Sequence, residues 1–518
     1  MPIIEIAKFD LERLANIKFE EAAKLLEYVK CEIEEDVGEK VRLEVSHDRP
    51  DHFSVEGLAR TLKGIAEVEV GLPRITLLQS SIELKAEYIE ERPYISMAVV
   101  RGVKLDNEAI RQLIQLQEKL HDTYGRGRRR FAIGFYDISK IKPPIYYKRV
   151  SQEDEYVPLG FDKPVKISEM YKLTEQGIKY STLINKERPP ALVDSAGQIM
   201  VIIPVLGSEC CKITEDTHDV LIDVTGTDLR AINNVMSILI YALLERSSTK
   251  TVEIITGGHA YRHTYHRIVV DLENINDLLG IRLSIQDFVK LVEKARLSYQ
   301  EGGVLAPPYR INMLSWVDVA EEVAIMLGYN NFPREAPKIS TSGKRHITEV
   351  LTEEVRRILL SMGFVEVNNY VLTDSSIANI CKPAHIINPI SELYGYVRCS
   401  MITQLIVTAS TMRRKEIKLF EVGDVVENGR TWRDATFLLS RDGVTLTDGL
   451  SVIKTLCNRL GFTCQISETS LEWGIPNRAA SIRGDVVGYI AEVNPGLLLK
   501  LRHTLPTVVG VLRLENIK

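Results

Sequence analysis

Asp223 and Thr225 lie two positions apart in the run Val220-Leu221-Ile222-Asp223-Val224-Thr225-Gly226-Thr227-Asp228. The β-branched and aliphatic neighbours predict a strand, on which such residues face the same side. A carboxylate and a hydroxyl on one face can position a water or a substrate hydroxyl. Gly226 leaves room for a ligand backbone, and Asp228 can cap the helix that follows. A strand ending in a capped turn accounts for the same residues without any chemistry.

Three other clusters carry chemical potential. Gly125-Arg126-Gly127-Arg128-Arg129-Arg130 holds four arginines in six residues, suited to phosphates or to a solvated loop. Asp318, Glu321 and Glu322 gather carboxylates on one helix turn, with Asn312 just upstream. Oxygen ligands of this kind suit magnesium, although Asp318 can equally cap a helix with Glu321 as its capping partner. His259, His263 and His266 include an i, i+4 pair, but the HExxH pattern of a zinc site is missing. Arg398 and the run Phe420-Glu421-Val422-Gly423-Asp424-Val425 are expected to be structural, Arg478 is a lone arginine in a polar turn, and none shows a partner in the sequence.

Four regions must position these residues. Residues 1–90 predict a small α+β unit: Asp10 capping a short helix, a helix over 19–29, a strand over 41–46, the polar turn Asp48-Arg49-Pro50-Asp51-His52 and a helix over 54–63. Residues 91–270 predict strands at 94–101, 131–136, 199–205, 220–224 and 251–255. They also predict helices at 106–124 and 229–245, the first with Gln117 as the one polar break in its apolar period. Residues 271–340 predict a mostly helical unit, with a helix over 284–294 capped by Ser284, one over 318–327 stopped by Gly328, and Pro333 and Pro337 marking a linker. Residues 344–518 predict an amphipathic helix over 347–362 and strands at 364–372, 420–426, 436–439 and 486–493, an antiparallel sheet braced by helices. This last region has the bulk of an enzyme domain but no triad, metal cluster or phosphate loop.

A chain of 518 residues divides into about three to five domains. It is 45% hydrophobic and 26% charged with a net charge of −5, which argues against nonspecific wrapping of nucleic acid. Its seven cysteines form no CxxC pair, and a reduced, cytoplasmic protein is expected. The charged N-terminus is no secretory signal, and the longest apolar runs are too short to span a bilayer, so no membrane is expected.

The residues match a family along nearly the whole chain. Asp48-Arg49-Pro50-Asp51, Glu56-Gly57-Leu58-Ala59-Arg60, Ala132-Ile133-Gly134-Phe135-Tyr136-Asp137 and Gly160-Phe161-Asp162 come in order. Val224-Thr225-Gly226-Thr227-Asp228, Pro307-Pro308-Tyr309-Arg310, Glu321-Glu322-Val323-Ala324-Ile325, Gly328-Tyr329-Asn330-Asn331 and Phe420-Glu421-Val422-Gly423-Asp424 follow. In that order the chain resembles the beta subunit of phenylalanyl-tRNA synthetase, archaeal and eukaryotic type.

The resemblance implies a multidomain α+β fold. Residues 1–90 would be a small N-terminal domain, 91–270 a B3/B4-like editing domain, 271–340 a winged-helix-like B5 domain and 344–518 a catalytic-like class II synthetase module without its active site. Indeed Arg398 is followed by Cys399-Ser400 rather than by a glutamate, and Asn494-Pro495-Gly496 stands where a glycine-rich arginine motif is wanted. The resemblance implies an alpha2beta2 tetramer with the alpha subunit, binding tRNA(Phe). The alpha subunit would attach L-phenylalanine using ATP and Mg2+. It places the editing of Tyr-tRNA(Phe) on Asp223 and Thr225, with Leu192 and Val201 in the substrate pocket, and magnesium on Asn312, Asp318, Glu321 and Glu322. Val201 replaces a family serine and Gly207 a family asparagine. A structural, tRNA-binding subunit with an inactive editing pocket is therefore the alternative.

Overall fold

The run around Asp223 forms the strand Val220–Gly226, second from one edge of a nine-stranded mixed sheet. From the far edge the order is Leu206–Gly207, Ile199–Ile202, Pro190–Val193, Ile145–Arg149, Thr76–Ala86, Thr251–Thr256, Tyr94–Val100, Val220–Gly226 and Phe131–Asp137. Val220–Gly226 is antiparallel to both of its neighbours, so Asp223 lies between Met97 and Gly134. This computed structural model describes residues 2–377 and 380–514.

Alternation along Val220–Gly226 decides what each side chain meets. Val220, Ile222 and Val224 enter a core shared with the long helix Leu229–Arg246 and the helix Asn107–Asp122. Leu221 points to the opposite core with Ile95, Met97, Tyr136 and Tyr147. Asp223 and Thr225 share that side by the period of two. Asp228 caps Leu229–Arg246, accepting from Ala231 N at 3.0 Å. Gly226 is needed for the neighbouring strand, not for a ligand: a β-carbon there would lie 2.2 Å from Arg130 O.

The chain divides into two compact units, residues 1–335 and 336–518. The first also holds the small sheet Ile3–Ala7, Lys40–Glu44 and Glu32–Val37. Thr76–Ala86, within the expected N-terminal region, is a strand of the nine-stranded sheet. Asp10 does not cap a helix. It sits inside Lys8–Ala15, fully buried, and its Oδ2 accepts from Arg246 Nη2 at 2.7 Å. A three-stranded sheet with Gly303–Ala306 at its centre packs with the helices Leu272–Leu279, Ile285–Lys294 and Trp316–Leu327.

The second unit is a seven-stranded sheet, antiparallel except for the short Val365–Glu366 at one edge. Its centre is Glu416–Glu427, Arg430–Arg441, Thr507–Arg513 and Val487–Val493. Ile347–Ser361 and Leu446–Leu460 cover one face and Ile402–Ser410 the other. The strand expected over 364–372 is broken into Val365–Glu366 and Leu372–Thr373, which join different sheets. The expectation of reduced cysteines fails: Cys381 pairs with Cys399 and Cys457 with Cys464. Sequence spacing could not show that folding brings these thiols together.

Candidate active site

Asp223 lies at the floor of a cleft of about 590 Å³ between the sheet and the segment 201–213. The cleft is lined on one side by Ile110, Ile114 and Gln117 of the helix Asn107–Asp122, and on the other by Val201, Ile203 and Gly207. The polar break at Gln117 has a use: its amide donates to Ile133 O at 2.8 Å, and the side chain lines the cleft.

The Asp223 carboxyl is 2% exposed, and its Oδ1 accepts from the Tyr136 hydroxyl at 2.6 Å. Burial disfavours the charged form and pushes the carboxyl up to about 7, although the Tyr136 hydrogen bond and the charge of Arg92 pull the other way. A carboxyl poised there can accept a hydrogen bond or a proton near neutral pH. Thr225 Oγ1 is buried without a hydrogen-bond partner and lines the same cleft. Such an orphan hydroxyl suits a water or a ligand oxygen.

Arginines shape the walls. Arg92 is buried, and it donates to Thr225 O and to Arg128 O, both at 3.0 Å. Arg128 turns inward, donating to Pro204 O at 3.0 Å, to Val205 O at 2.9 Å and to Glu118 at 2.9 Å. Arg130 pairs with Asp228. The arginine cluster is thus divided: Arg128 and Arg130 are structural, while Arg126 and Arg129 are exposed.

Val201 lines the cleft, but Leu192 does not. Leu192 is the cross-strand partner of Val201 and is fully buried in the core against which Val201 packs. Sequence reasoning assigned no role to Tyr136, Gly134 or Arg92. The cross-strand register that brings Gly134 and Tyr136 to Asp223 is set by tertiary pairing and leaves no local signal.

Asn312, Asp318, Glu321 and Glu322 do not converge on a metal. Asp318 is the third residue of Trp316–Leu327, where it completes a capping box with Ser315 as the cap. Glu321 pairs with Lys30 at 2.8 Å. Glu322 pairs with Arg310 Nη2 at 2.5 Å, and Asn312 Oδ1 accepts from Arg310 Nε at 3.1 Å. The guanidinium stands between two of the expected ligands and supplies the positive charge itself. Among the described residues no group of three or more His, Cys, Asp or Glu could hold a metal ion. The histidine trio is likewise dispersed: His263 bonds Tyr241 and His266 bonds Met313 O.

In the second unit Arg398 is buried and its Nη1 donates to Glu421 Oε1 at 2.5 Å and to Gln404 Oε1 at 3.3 Å. Asn369 donates to the other Glu421 oxygen at 2.8 Å. The arginine expected to be structural is therefore committed to protein partners. Arg478 pairs with Glu492 at 3.1 Å.

Comparison with known proteins agrees with this architecture. Residues 268–329 match the family model described as the tRNA synthetase B5 domain, and residues 332–514 match the phenylalanyl tRNA synthetase beta chain CLM domain. The chain is 66% identical over 512 residues to a phenylalanine–tRNA ligase beta subunit of Pyrobaculum aerophilum, covering 99% of each. It is 36% identical over 545 residues to that of Thermofilum pendens, covering 99% of this chain and 98% of the other. A crystal structure of an N-terminal fragment of the phenylalanyl-tRNA synthetase beta subunit from Pyrococcus horikoshii superposes with a TM-score of 0.60 and 33% identity, covering 63% of this chain and 100% of that one. No helix among the described residues is long and apolar enough to cross a membrane. With matches of this extent at both ends of the chain, the protein belongs to the phenylalanine–tRNA ligase beta subunit family.

Proposed function

We propose that this chain is the beta half of an alpha2beta2 phenylalanine–tRNA ligase, and that its Asp223 cleft hydrolyses tyrosine wrongly attached to tRNA(Phe). The alpha subunit carries the synthetic site, where ATP and magnesium activate L-phenylalanine before transfer to the tRNA. The commitment of Arg398 to Glu421 and Gln404 supports that division, since this arginine is not free to hold ATP in the chain's own synthetase-like module. The complex works in the cytoplasm, where tRNA is charged.

The observation that carries the editing reading is a buried, elevated carboxyl beside an orphan hydroxyl in a cleft with room for an amino acid. Tyrosine differs from phenylalanine by one hydroxyl, and a hydrophobic synthetic pocket rejects such an addition only by about 10². A second site that hydrogen-bonds the hydroxyl selects the other way. Asp223 accepts the phenol of the tyrosyl group, and Thr225 aligns the water or the ester. Water adds to the ester carbonyl, the bond to the ribose oxygen breaks, and the proton leaves with the ribose hydroxyl. Tyrosine and intact tRNA are the products.

A second reading has its own observation. Val201 and Gly207 line the cleft without offering a side-chain polar group, as a pocket that only supports tRNA binding would tolerate. Co-purification with the alpha chain, charging of phenylalanine, and release of tyrosine from Tyr-tRNA(Phe) test the proposal together. Charging without release leaves the scaffold reading.

A further inference from the structure

We propose that Tyr136 is a positioning residue for Asp223: its phenol holds Oδ1, so that Oδ2 is the acceptor offered to a hydroxyl on the substrate ring. This deepens the editing reading and rests on it.

The geometry is specific. Tyr136 and Asp223 sit on the paired strands Phe131–Asp137 and Val220–Gly226, with Tyr136 opposite Leu221 and Gly134 opposite Asp223. The Tyr136 ring therefore reaches past one cross-strand position to touch the carboxyl at 2.6 Å. It can do so because Gly134 leaves that space open: a β-carbon there would lie 2.1 Å from Tyr136 Oη and 2.3 Å from Asp223 Oδ1. Among the described residues Tyr136 is the side chain that hydrogen-bonds Asp223. A carboxylate with both oxygens free could turn or take a proton on either. One oxygen tied to a phenol restrains the carboxylate and leaves the second oxygen to accept from the ligand. Tyr136 thus presents to Asp223 the same group, a phenol, that a tyrosyl substrate would bring to the second oxygen.

The hydrogen bond also favours the ionised, accepting form against the burial that opposes it. Arg92, before the strand Tyr94–Val100, bonds carbonyls rather than the carboxyl, and its charge lowers the Asp223 value. Tyr147 on Ile145–Arg149 bonds Arg92 O at 2.8 Å. Cys210 and Cys211 lie on the side of Tyr136, whose own hydroxyl is held protonated by burial and by the Asp223 charge.

The test uses the complex with the alpha subunit, wild type and Tyr136→Phe, each shown to charge phenylalanine. Tyr-tRNA(Phe) hydrolysis is followed from pH 5.5 to 9. Infrared difference spectra against Asp223→Asn follow the carboxyl itself. The proposal expects the midpoint of hydrolysis to move up by about one unit in Tyr136→Phe, a loss of about tenfold below the midpoint that recovers at pH 9. The infrared titration should move with it. Superimposable profiles, a loss equal at every pH, or an unmoved carboxyl titration would overturn it. A shifted titration in a complex that hydrolyses nothing, even as wild type, would uphold the positioning of Asp223 by Tyr136 and count against the editing reading alone.

Discussion

Gly134 faces Asp223 directly across two paired strands, and the missing β-carbon of the glycine is the space in which Tyr136 reaches the carboxyl. Gly134→Ala therefore breaks the Tyr136–Asp223 contact or displaces a strand. Overpacking of a filled interior costs about 1–3 kcal/mol. The variant should melt several degrees lower and lose hydrolysis of Tyr-tRNA(Phe), while phenylalanine charging by the complex persists. Thermal melting beside both activities checks this.

Asp223 also makes stability depend on pH in a definite direction. Its folded value, raised to about 7 from 3.8, means that the folded protein holds this proton more tightly than the unfolded chain. The contribution is fully present below the unfolded value and is lost as pH rises through about 7. At about 1.36 kcal/mol per unit the loss reaches at most about 4 kcal/mol. Asp223→Asn removes the titration, so it should melt above wild type at pH 8 and show no such advantage at pH 4. Melting curves across that range decide it.

Arg310 occupies the place between Asn312 and Glu322 that a cation would need. Chelation of magnesium by EDTA should leave the melting of the chain unchanged, whereas a resident ion bound at 100 times its dissociation constant would contribute about 2.7 kcal/mol. Arg310→Ala, in contrast, leaves Glu322 buried without its partner and should cost about 3–5 kcal/mol. Calorimetry with and without EDTA, on both proteins, separates the two sources of charge.

Arg398 and Glu421 form a buried pair in the same sense. Arg398→Ala should destabilise the second unit by about 3–5 kcal/mol by leaving Glu421 unpaired, and Arg398→Ala with Glu421→Ala should recover much of that loss. If the arginine instead served ATP, the single variant would melt as wild type and change the KM for ATP.

Much of the scaffold could be read from residues alone. Asp228 before the apolar run 229–245 was enough to place a capped helix, and Ser284 with Asp287 another. The alternation around Asp223 correctly put it on one face with Thr225. Local patterns failed where distant residues decide. Asp10 looks like a cap but is claimed by Arg246, 236 positions away. Leu192 carries a pocket role by resemblance, yet it is buried in the core beside Val201 and does not line the cleft. The carboxylates near residue 320 look like ligands until Lys30 and Arg310 are brought against them. Tyr136 and Gly134 were visible as letters of a motif, and only the strand register gave them a task.

The central claim is that Asp223 serves proofreading. The most direct measurement is release of tyrosine from Tyr-tRNA(Phe) by the complex of this chain with its alpha subunit, beside the Asp223→Ala complex, with both shown to charge phenylalanine. Fast release by the first and a loss of at least about a hundredfold in the second is the predicted result. Release no faster than in buffer, or equal release by both complexes, would contradict it.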